Sequence, residues 1–485
     1  SKQIDFMNKG IRPCVEITME DGRKITCTED HPLLNENNDW IKAKDLDIEI
    51  DRLKIGITCP ELDIKKDITE CDNWSLKLFD MTLKTNNKNN YLITIVFARI
   101  IGLLITDGHI DKTNKTGSVF LGHKLDAEQF LEDLITLGYK KSYKIRDHCY
   151  TIYLPSKLMK NILELKGLTI GRKVNQKAEL PEFVENCPKP VLREFLGGMF
   201  GGDGHTCVLS LRRKKYGALT SIGYSKSKTK ENVKSLNVMM ETIKGLLSKF
   251  DINEVTIQNA KEISDSKKKE KNVKVYQINL YIGIENLILF SKNIGFRYCC
   301  HKSQRLEAAV SYKRLRTEVI RQHDWIVNRV DELTDYKEKK LNNPSTVVGT
   351  KKAVIKATEE LKKKEGLLHK YAIPTTHDIS DNLIKGTKFG SFRSKSFPNA
   401  GEFFKKIGAF EWFVKDKGDT NYAIDKDSEV LPTMNMNIIS IISVGEKQVY
   451  DISVDKTHSF LAEGVVAHNC MIAHGTSRFL KERLF

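Results

Sequence analysis

No apolar run in this 485-residue chain reaches the ~18 residues that a membrane-crossing helix needs. The opening Ser1-Lys2-Gln3-Ile4-Asp5 has neither the apolar stretch nor the small-residue cleavage site of a secretory signal. Ten cysteines are present and none has C-x-x-C spacing, so neither a zinc ribbon nor a disulfide framework is indicated. Cys299-Cys300-His301 has the ligand types of a metal cluster, but adjacent side chains diverge, and the three read as core residues. These absences predict a soluble intracellular protein with reduced thiols and no membrane partner; they do not distinguish nucleus, cytoplasm or viral factory.

What is present is length and positive charge. Hydrophobic residues make up 40% and charged residues 29%, the balance of a globular protein. About two to four domains are expected at this length. Lys and Arg (79) exceed Asp and Glu (63), for a net charge of +16. The excess gathers at Arg212-Arg213-Lys214-Lys215, Lys267-Lys268-Lys269 and Lys362-Lys363-Lys364. Such clustering favours a polyanion partner through counterion release, although short lysine runs are also ordinary solvated faces.

The texture changes along the chain. Cys14-Val15-Glu16-Ile17-Thr18-Met19 and Lys24-Ile25-Thr26-Cys27-Thr28 alternate around Asp21-Gly22, which predicts a β-hairpin. Residues 92–310 read as mixed helix and strand, and 305–370 as charged helix broken at Asn342-Asn343-Pro344. From residue 432 the pattern is strand again. Two β-rich ends around a mixed middle predict one domain interrupted by an insertion.

The middle contains a repeat. Ile100-Ile101-Gly102-Leu103-Leu104-Ile105-Thr106-Asp107-Gly108 is matched by Leu196-Gly197-Gly198-Met199-Phe200-Gly201-Gly202-Asp203-Gly204. Each is an apolar helical run with glycine midway and Asp-Gly at its end. Glycine lets two such helices approach backbone to backbone, and Asp107 and Asp203 then lie at the same end of the contact. Two facing carboxylates can hold a divalent metal. On a basic protein, that combination predicts phosphodiester hydrolysis. Either copy alone would be an ordinary glycine-capped helix.

Near the end stands Ala467-His468-Asn469-Cys470. The Asn469 carboxamide can attack its own carbonyl and release the following chain as a free amine. His468 can protonate that amine, and the Cys470 thiol can carry an acyl group as a thioester.

The two repeats resemble the paired motifs of the LAGLIDADG (dodecapeptide) homing endonucleases, and the chain ends resemble the splicing blocks of inteins. Cys27-Thr28-Glu29-Asp30-His31-Pro32 is similar to the Thr-x-x-His block, and Trp40-Ile41-Lys42-Ala43-Lys44-Asp45-Leu46 to the stretch after it. Val449-Tyr450-Asp451, Thr457-His458-Ser459-Phe460-Leu461 and Ala467-His468-Asn469-Cys470 are similar to the C-terminal blocks. Residues 470–485 resemble a second-largest (beta-type) RNA polymerase subunit, the host segment.

This resemblance implies a mixed fold. An all-β Hint (hedgehog/intein) splicing domain is formed by residues 1–90 and 431–469 and interrupted by an α+β pseudo-dimeric LAGLIDADG endonuclease at 91–310. Residues 311–430 would be a basic linker or accessory DNA-binding region, and 470–485 host sequence. In splicing, Thr28 and His31 would activate the upstream amide, Asp451 would tune Cys470, and His468 with His458 would assist Asn469 cyclisation. No cofactor is implied for splicing. In the nuclease, Asp107 and Asp203 would bind Mg2+, with Lys177 and Lys274 as candidate site lysines. Arg212, Arg213, Lys214 and Lys215 would contact phosphates of double-stranded DNA. A monomeric pseudo-dimer is implied, with host polymerase subunits as partners after splicing.

The chain also departs from the pattern. Thr28 follows Ser1 closely, and Ser1-Lys2-Gln3-Ile4-Asp5 does not resemble the first intein block, so an absent upstream start is expected. Ile105 and Gly201 stand where the endonuclease motif commonly has an acid. A free-standing endonuclease would leave the blocks at 27–31 and 449–470 unexplained. A hedgehog-type protein would lack the repeat and Asn469.

Overall fold

The computed structural model describes residues 3–57, 63–146, 149–212, 215–263, 274–334, 344–376, 378–379, 397–413, 427–428, 430–454 and 459–468. The anticipated hairpin is formed by β1 (Gln3–Met19) and β2 (Lys24–Thr28), in register from Cys14↔Thr28 to Thr18↔Lys24. Its turn needs glycine: Gly22 has φ +82°, a left-handed conformation that a Cβ disfavours. β3 (Pro32–Leu34), β4 (Trp40–Lys42) and β5 (Arg52–Ile55) follow. At the other end of the chain are β6 (Met434–Val454), β7 (Ser459–Ala462) and β8 (Val465–His468).

The two ends form one sheet, in the order β2-β1-β6-β5-β8-β3-β4, with β7 paired to β8. β1 and β6 are antiparallel from Gln3↔Val454 to Met19↔Ile438, and four register shifts bend the ribbon. Alternation buries one side of these strands. Ile17, Leu33, Leu53, Ile55, Met436, Val465 and Ala467 are all at 0% exposure in one cluster, each large one contributing about 1.5–3 kcal/mol. Phe403, Phe404 and Trp412 complete this core, so part of the stretch expected to be a linker packs under the sheet.

Between the ends, α1 (Lys88–Asp107) and α2 (Lys189–Asp203) lie side by side. α1 is capped by the Asn87 side chain, which accepts from Asn90 N at 2.9 Å. It is long and apolar enough to cross a membrane, yet 78% of that window is buried inside the protein, as in a core helix. A four-stranded sheet (residues 108–153) follows α1 and a five-stranded sheet (204–282) follows α2, so the repeat is structural. Cys71, Leu78 and Leu83 pack in this central core rather than under the terminal sheet.

The helices meet at their glycines. A Cβ on Gly102 would lie 2.1 Å from Phe195 O, and one on Gly198 2.2 Å from Arg99 O. Gly201 likewise has its Cβ space filled by Arg297 O at 1.8 Å, which is why no acid can stand there. A buried ion cluster pins the helix pair. Glu194 accepts from Arg99 Nε at 2.7 Å and from Arg297 Nη2 at 2.9 Å. Against the penalty of burial, Arg297 and Arg99 hold its carboxyl well below the usual carboxylate range.

A 35-residue helix, α3 (Cys300–Thr334), then threads three cores. Leu306 and Val310 join the central cluster, Tyr312, Leu315 and Val319 the sheet cluster, and Ile326 and Val330 a third one shared with α4 (Pro344–Glu365).

Candidate active sites

The first site is a cleft of about 450 Å³ where β1, the β2–β3 turn and β6 meet; Thr28, Asp30, His31, Lys9, Arg12 and Asp451 line it. β2 ends at Thr28, and a turn closed by His31 N donating to Thr28 O at 3.1 Å brings the two side chains together. The Thr28 hydroxyl hydrogen-bonds Asp30, the largest reason that carboxyl sits below its ordinary value. Burial pushes the His31 imidazole below 6.5, opposed by the charges of Asp451 and Asp30 and reinforced by His468. The ring is therefore neutral at pH 7, with one nitrogen able to accept and the other to donate.

Asp451 is 5% exposed. Its Oδ1 accepts from Ile452 N at 2.9 Å, while the buried Oδ2 has no hydrogen-bond partner among the described residues and lies 3.7 Å from Lys9 Nζ. β8 brings the other end of the chain here. It pairs with β3 through Ala467↔Leu33 and with β5 through Val465↔Ile55. This places the His468 ring edge-on to Trp40 at 4.7 Å, and the His31 ring packs on Phe460 at 6.4 Å. Of the residues marked for splicing, Thr28, His31, Asp451 and His468 thus converge. His458, Asn469 and Cys470 lie outside the described residues.

Cys27, one residue before Thr28, is not a nucleophile: burial pushes its thiol up to about 12.

The second site lies where α1 and α2 end. Asp107 is open to solvent at one side, yet desolvation by the surrounding protein, with the nearby Asp203 charge, raises its pKa against the pull of Lys302, Lys173 and Lys226. Asp203 pairs with Lys226 Nζ at 3.0 Å. The acids are thus close enough to feel each other, each at the end of one helix.

The lysines here are not the two singled out from the sequence. Lys177 is exposed, and its main-chain carbonyl accepts from Lys228 Nζ at 3.3 Å. Lys274 is exposed and pairs with Glu262 at 3.2 Å, on the hairpin edge of the second sheet. Instead, Lys173 Nζ donates to Thr106 O at 2.6 Å and Gly108 O at 2.5 Å, flanking Asp107. Lys302 Nζ donates to Gly201 O and Gly202 O, both at 2.6 Å, flanking Asp203. Burial and the neighbouring Lys226 cation push Lys173 down to about 7, although Asp203 and Asp107 pull it up. A sequence signal for Lys226 and Lys228 did exist: they alternate on a strand, Ile222–Thr229, that follows the second repeat. Arg213 and Lys214 lie outside the described residues, as do the side chains of Arg212 and Lys215; the strands holding these last two pair Arg212↔Lys215.

Two carboxylates are a sparse metal site. Among the described residues no group of three or more His, Cys, Asp or Glu side chains could hold a metal. That donor set fits Mg2+, which keeps most of its waters and takes further oxygens from a phosphate; it does not fit a closed protein cage. The Cys299-Cys300-His301 run divides its contacts. Cys299 faces His301 at 3.6 Å while Cys300 Sγ donates to Asp126 at 3.6 Å, consistent with core residues.

A family model of the intein splicing domain matches residues 2–469. This chain belongs to the intein splicing family. Among curated proteins it is 26% identical to a tRNA-splicing ligase RtcB of Methanocaldococcus jannaschii, over 97% of this chain and 46% of that protein. It is 25% identical to a replication factor C small subunit of the same organism, over 77% of this chain and 18% of the relative. It is also 25% identical to that organism's DNA-directed RNA polymerase subunit Rpo1N, over 94% and 30%. The chain therefore spans less than half the length of these relatives. Among solved structures, mesophilic variants of the homing endonuclease I-DmoI align over 41% of this chain and 87% of theirs, at 14% identity and TM-score 0.25. The homing endonuclease I-WcaI bound to its DNA recognition sequence aligns over 49% and 89%, at 15% identity and TM-score 0.26.

Proposed function

We propose that this intein excises itself through Asn469 and Cys470, and that its central part is a Mg2+-dependent double-strand DNA endonuclease. The observation that carries the splicing reading is the convergence of Thr28, His31, Asp451 and His468 from opposite ends of the sequence. The names of the relatives support it further. A ligase, a replication factor and a polymerase subunit share no activity, yet each aligns with most of this chain; a sequence inserted into unrelated hosts accounts for that.

In this reading Thr28 and neutral His31 polarise the amide at the upstream junction. The side-chain sulfur or oxygen of the residue after that bond adds to its carbonyl carbon, the carbon–nitrogen bond breaks, the nucleophile's proton passes through His31 to the departing nitrogen, and a thioester or ester remains. The Cys470 sulfur, its proton governed by Asp451, then attacks that acyl carbon and takes the upstream chain, and the junction sulfur or oxygen leaves with a proton. The Asn469 side-chain nitrogen then attacks its own main-chain carbonyl carbon. The bond to Cys470 nitrogen breaks, that nitrogen gains a proton through His468 or His458, and a succinimide remains. An S-to-N acyl shift on Cys470 finishes the new peptide bond. Each step exchanges acyl bonds of similar energy, so positioning supplies the rate and no cofactor is needed.

For the nuclease, Asp107 and Asp203 would hold Mg2+, which stabilises charge on the phosphate under attack. Lys173 and Lys302 hold the two acidic helix ends in place through their carbonyls, and Lys226 lies against Asp203. The sheets beside the acids, with Arg212 and Lys215 on an extended hairpin, would track double-stranded DNA in the major groove. Residues 470–485 would begin the host protein, a second-largest RNA polymerase subunit working with its partner subunits inside the cell.

Splicing is tested by fusing a reporter after Phe485 and following release by mass spectrometry. Asn469→Ala should abolish cleavage at the Asn469–Cys470 bond; normal release would reject cyclisation. For the nuclease, a supercoiled plasmid carrying the uninterrupted host gene should be linearised with Mg2+. Retained cutting by the Asp107→Asn, Asp203→Asn double variant would reject the two-acid assignment.

A further inference from the structure

The hairpin of α3 and α4 carries a charge imbalance that neither site uses. α4 turns Ala353, Val354, Ala357 and Leu361 toward Ile326, Val327 and Val330 of α3. Two of its acids are consumed by that partner. Glu360 binds Arg329 at 2.7 Å, and Glu365 binds Arg321 at 2.8 Å. Lys364 lies over the Trp325 ring at 5.7 Å.

The outward face is left to Lys351, Lys352, Lys356, Lys362 and Lys363, all exposed and none in an ion pair among the described residues. At 3.6 residues per turn, Lys352, Lys356 and Lys363 form one row and Lys351 and Lys362 a second beside it. Glu359 alone interrupts the positive face. The rows extend over about 18 Å, alongside which a DNA duplex presents roughly one negative charge per 1.7 Å. Val348 and Ile355, 54% and 59% exposed between the rows, are too little apolar surface to insert into a bilayer.

α3 also fixes where this face stands. Lys302 in its first turn touches the carbonyls beside Asp203, and Arg321 and Arg329, which hold α4, come roughly 30–40 Å further along the same helix. An arm tied to the acidic site, with two of its three acids paired to α3 and its lysines outward, suits a long polyanion that already occupies that site.

We infer that α4 is a phosphate-contacting arm that grips duplex DNA well away from the acid pair. The inference rests on the endonuclease reading for the presence of DNA. The test is salt-dependent binding of the full chain to a random-sequence DNA duplex, compared with a variant carrying Lys351→Gln, Lys352→Gln, Lys356→Gln, Lys362→Gln and Lys363→Gln. These positions are exposed, so thermal unfolding should be unchanged. The slope of log K against log salt should become shallower by between about 2 and 4.5, and affinity near 0.1 M salt should drop by ~10-fold or more. An identical slope and affinity for both proteins would overturn the arm. So would tighter binding of the wild type to single-stranded RNA or polyglutamate than to the duplex. If the slope changes as expected while neither protein cuts any plasmid, the arm stands and the endonuclease reading falls.

Discussion

Arg23 Nη2 lies 2.9 Å from Glu307 Oε1, joining the β1–β2 turn to α3 in a place where both side chains are 4% exposed. Asp21 at 2.8 Å and the Ser311 hydroxyl at 2.9 Å complete the guanidinium's partners. The strand that leaves this turn ends at Thr28, and the helix on the other side carries Lys302 in its first turn at the acid pair. One buried cation therefore links the scaffolds of both sites. A buried pair is costly to assemble but more costly to break, because removing one member strands the other's charge.

Arg23→Met should therefore destabilise the protein by about 3–5 kcal/mol. Asp21 and Glu307 would remain buried without their cation. The urea midpoint should fall, and both splicing and DNA cleavage should weaken together. Adding Asp21→Asn and Glu307→Gln should recover a large part of the loss, since the two carboxylates that Arg23 neutralised are then no longer charged. A single variant as stable as the wild type would contradict the network.

The helix contact gives a second expectation. Gly102→Ala and Gly198→Ala each drive a methyl group into main-chain atoms of the facing helix, at 2.1 and 2.2 Å. Main chain cannot rotate away as a side chain can, so α1 and α2 must separate, at a cost of about 1–3 kcal/mol or more. The acids at the helix ends move with them. DNA cleavage should drop far more than global stability, whereas cleavage at the Asn469–Cys470 bond should not change. Gly245→Ala, on the helix Val233–Ser248, is the control, because nothing lies within 4 Å of its added Cβ.

These glycines also show how much a single sequence reveals. Asp107, Asp203 and the helix glycines were legible because close packing and chain termination restrict residue type at fixed spacing. Thr28, His31 and Asp451 were marked because their blocks resemble those of inteins, and His468 because it stands beside Asn469; that they lie near one another depends on the pairing of strands from opposite ends of the chain. The lysines were not. Lys173, Lys226 and Lys302 reach the acid pair from a 3-10 turn, a strand and a helix start, and their nearness depends on how separate elements dock. Lys177 and Lys274 look identical to them in sequence, since any lysine near a strand or turn does. The bounds of the terminal sheet's core were also hidden. Phe403 and Phe404 belong to it because tertiary packing recruits a short capped helix, Ala400–Lys406, from far along the chain.

A pH dependence follows from two groups near the start of α3: the partly buried His301 in its first turn, and the buried Asp126, which accepts from Cys300 N at 2.8 Å. Burial, with Arg305 and Lys302 nearby, pushes His301 down to about 3, so the native ring stays neutral while the unfolded one gains a proton below about 6.5. Its contribution to stability is thus lost as pH falls below ~6.5. Burial pushes Asp126 up to about 6, against hydrogen bonds from Cys300. Between about 3.9 and 6 the native carboxyl holds a proton that the unfolded one has shed, so this group stabilises as pH falls. The two slopes, each near 1.4 kcal/mol per pH unit, oppose one another there. Asp126→Asn should steepen the acid loss of stability between pH 6 and 4, and His301→Gln should reduce or reverse it. Parallel stability curves for the wild type and both variants would reject this assignment.

The last expectation concerns His31 and its acid neighbours. Burial lowers its pKa, and the negative charges of Asp451 and Asp30 partly restore it. Removing either charge should therefore lower it further. In Asp451→Asn, the His31 ring resonances should titrate at lower pH than in the wild type, and Asp30→Asn should act in the same direction. This readout needs no chemistry and no host segment, so it tests the geometry by itself. Functionally, lowering the ring's pKa below 6.5 favours the neutral form that the proposed upstream acyl shift uses. His31→Ala should slow that step by roughly 10²–10⁴-fold, the usual worth of a positioned acid–base group, and should slow Asn469 cyclisation less, because His468, next to Asn469 in sequence, is the group proposed to assist that step. If Asp451→Asn raised the His31 pKa or left it unmoved, Asp451 would not be electrostatically coupled to His31, and its part in the cleft would have to be exercised on Cys470 alone.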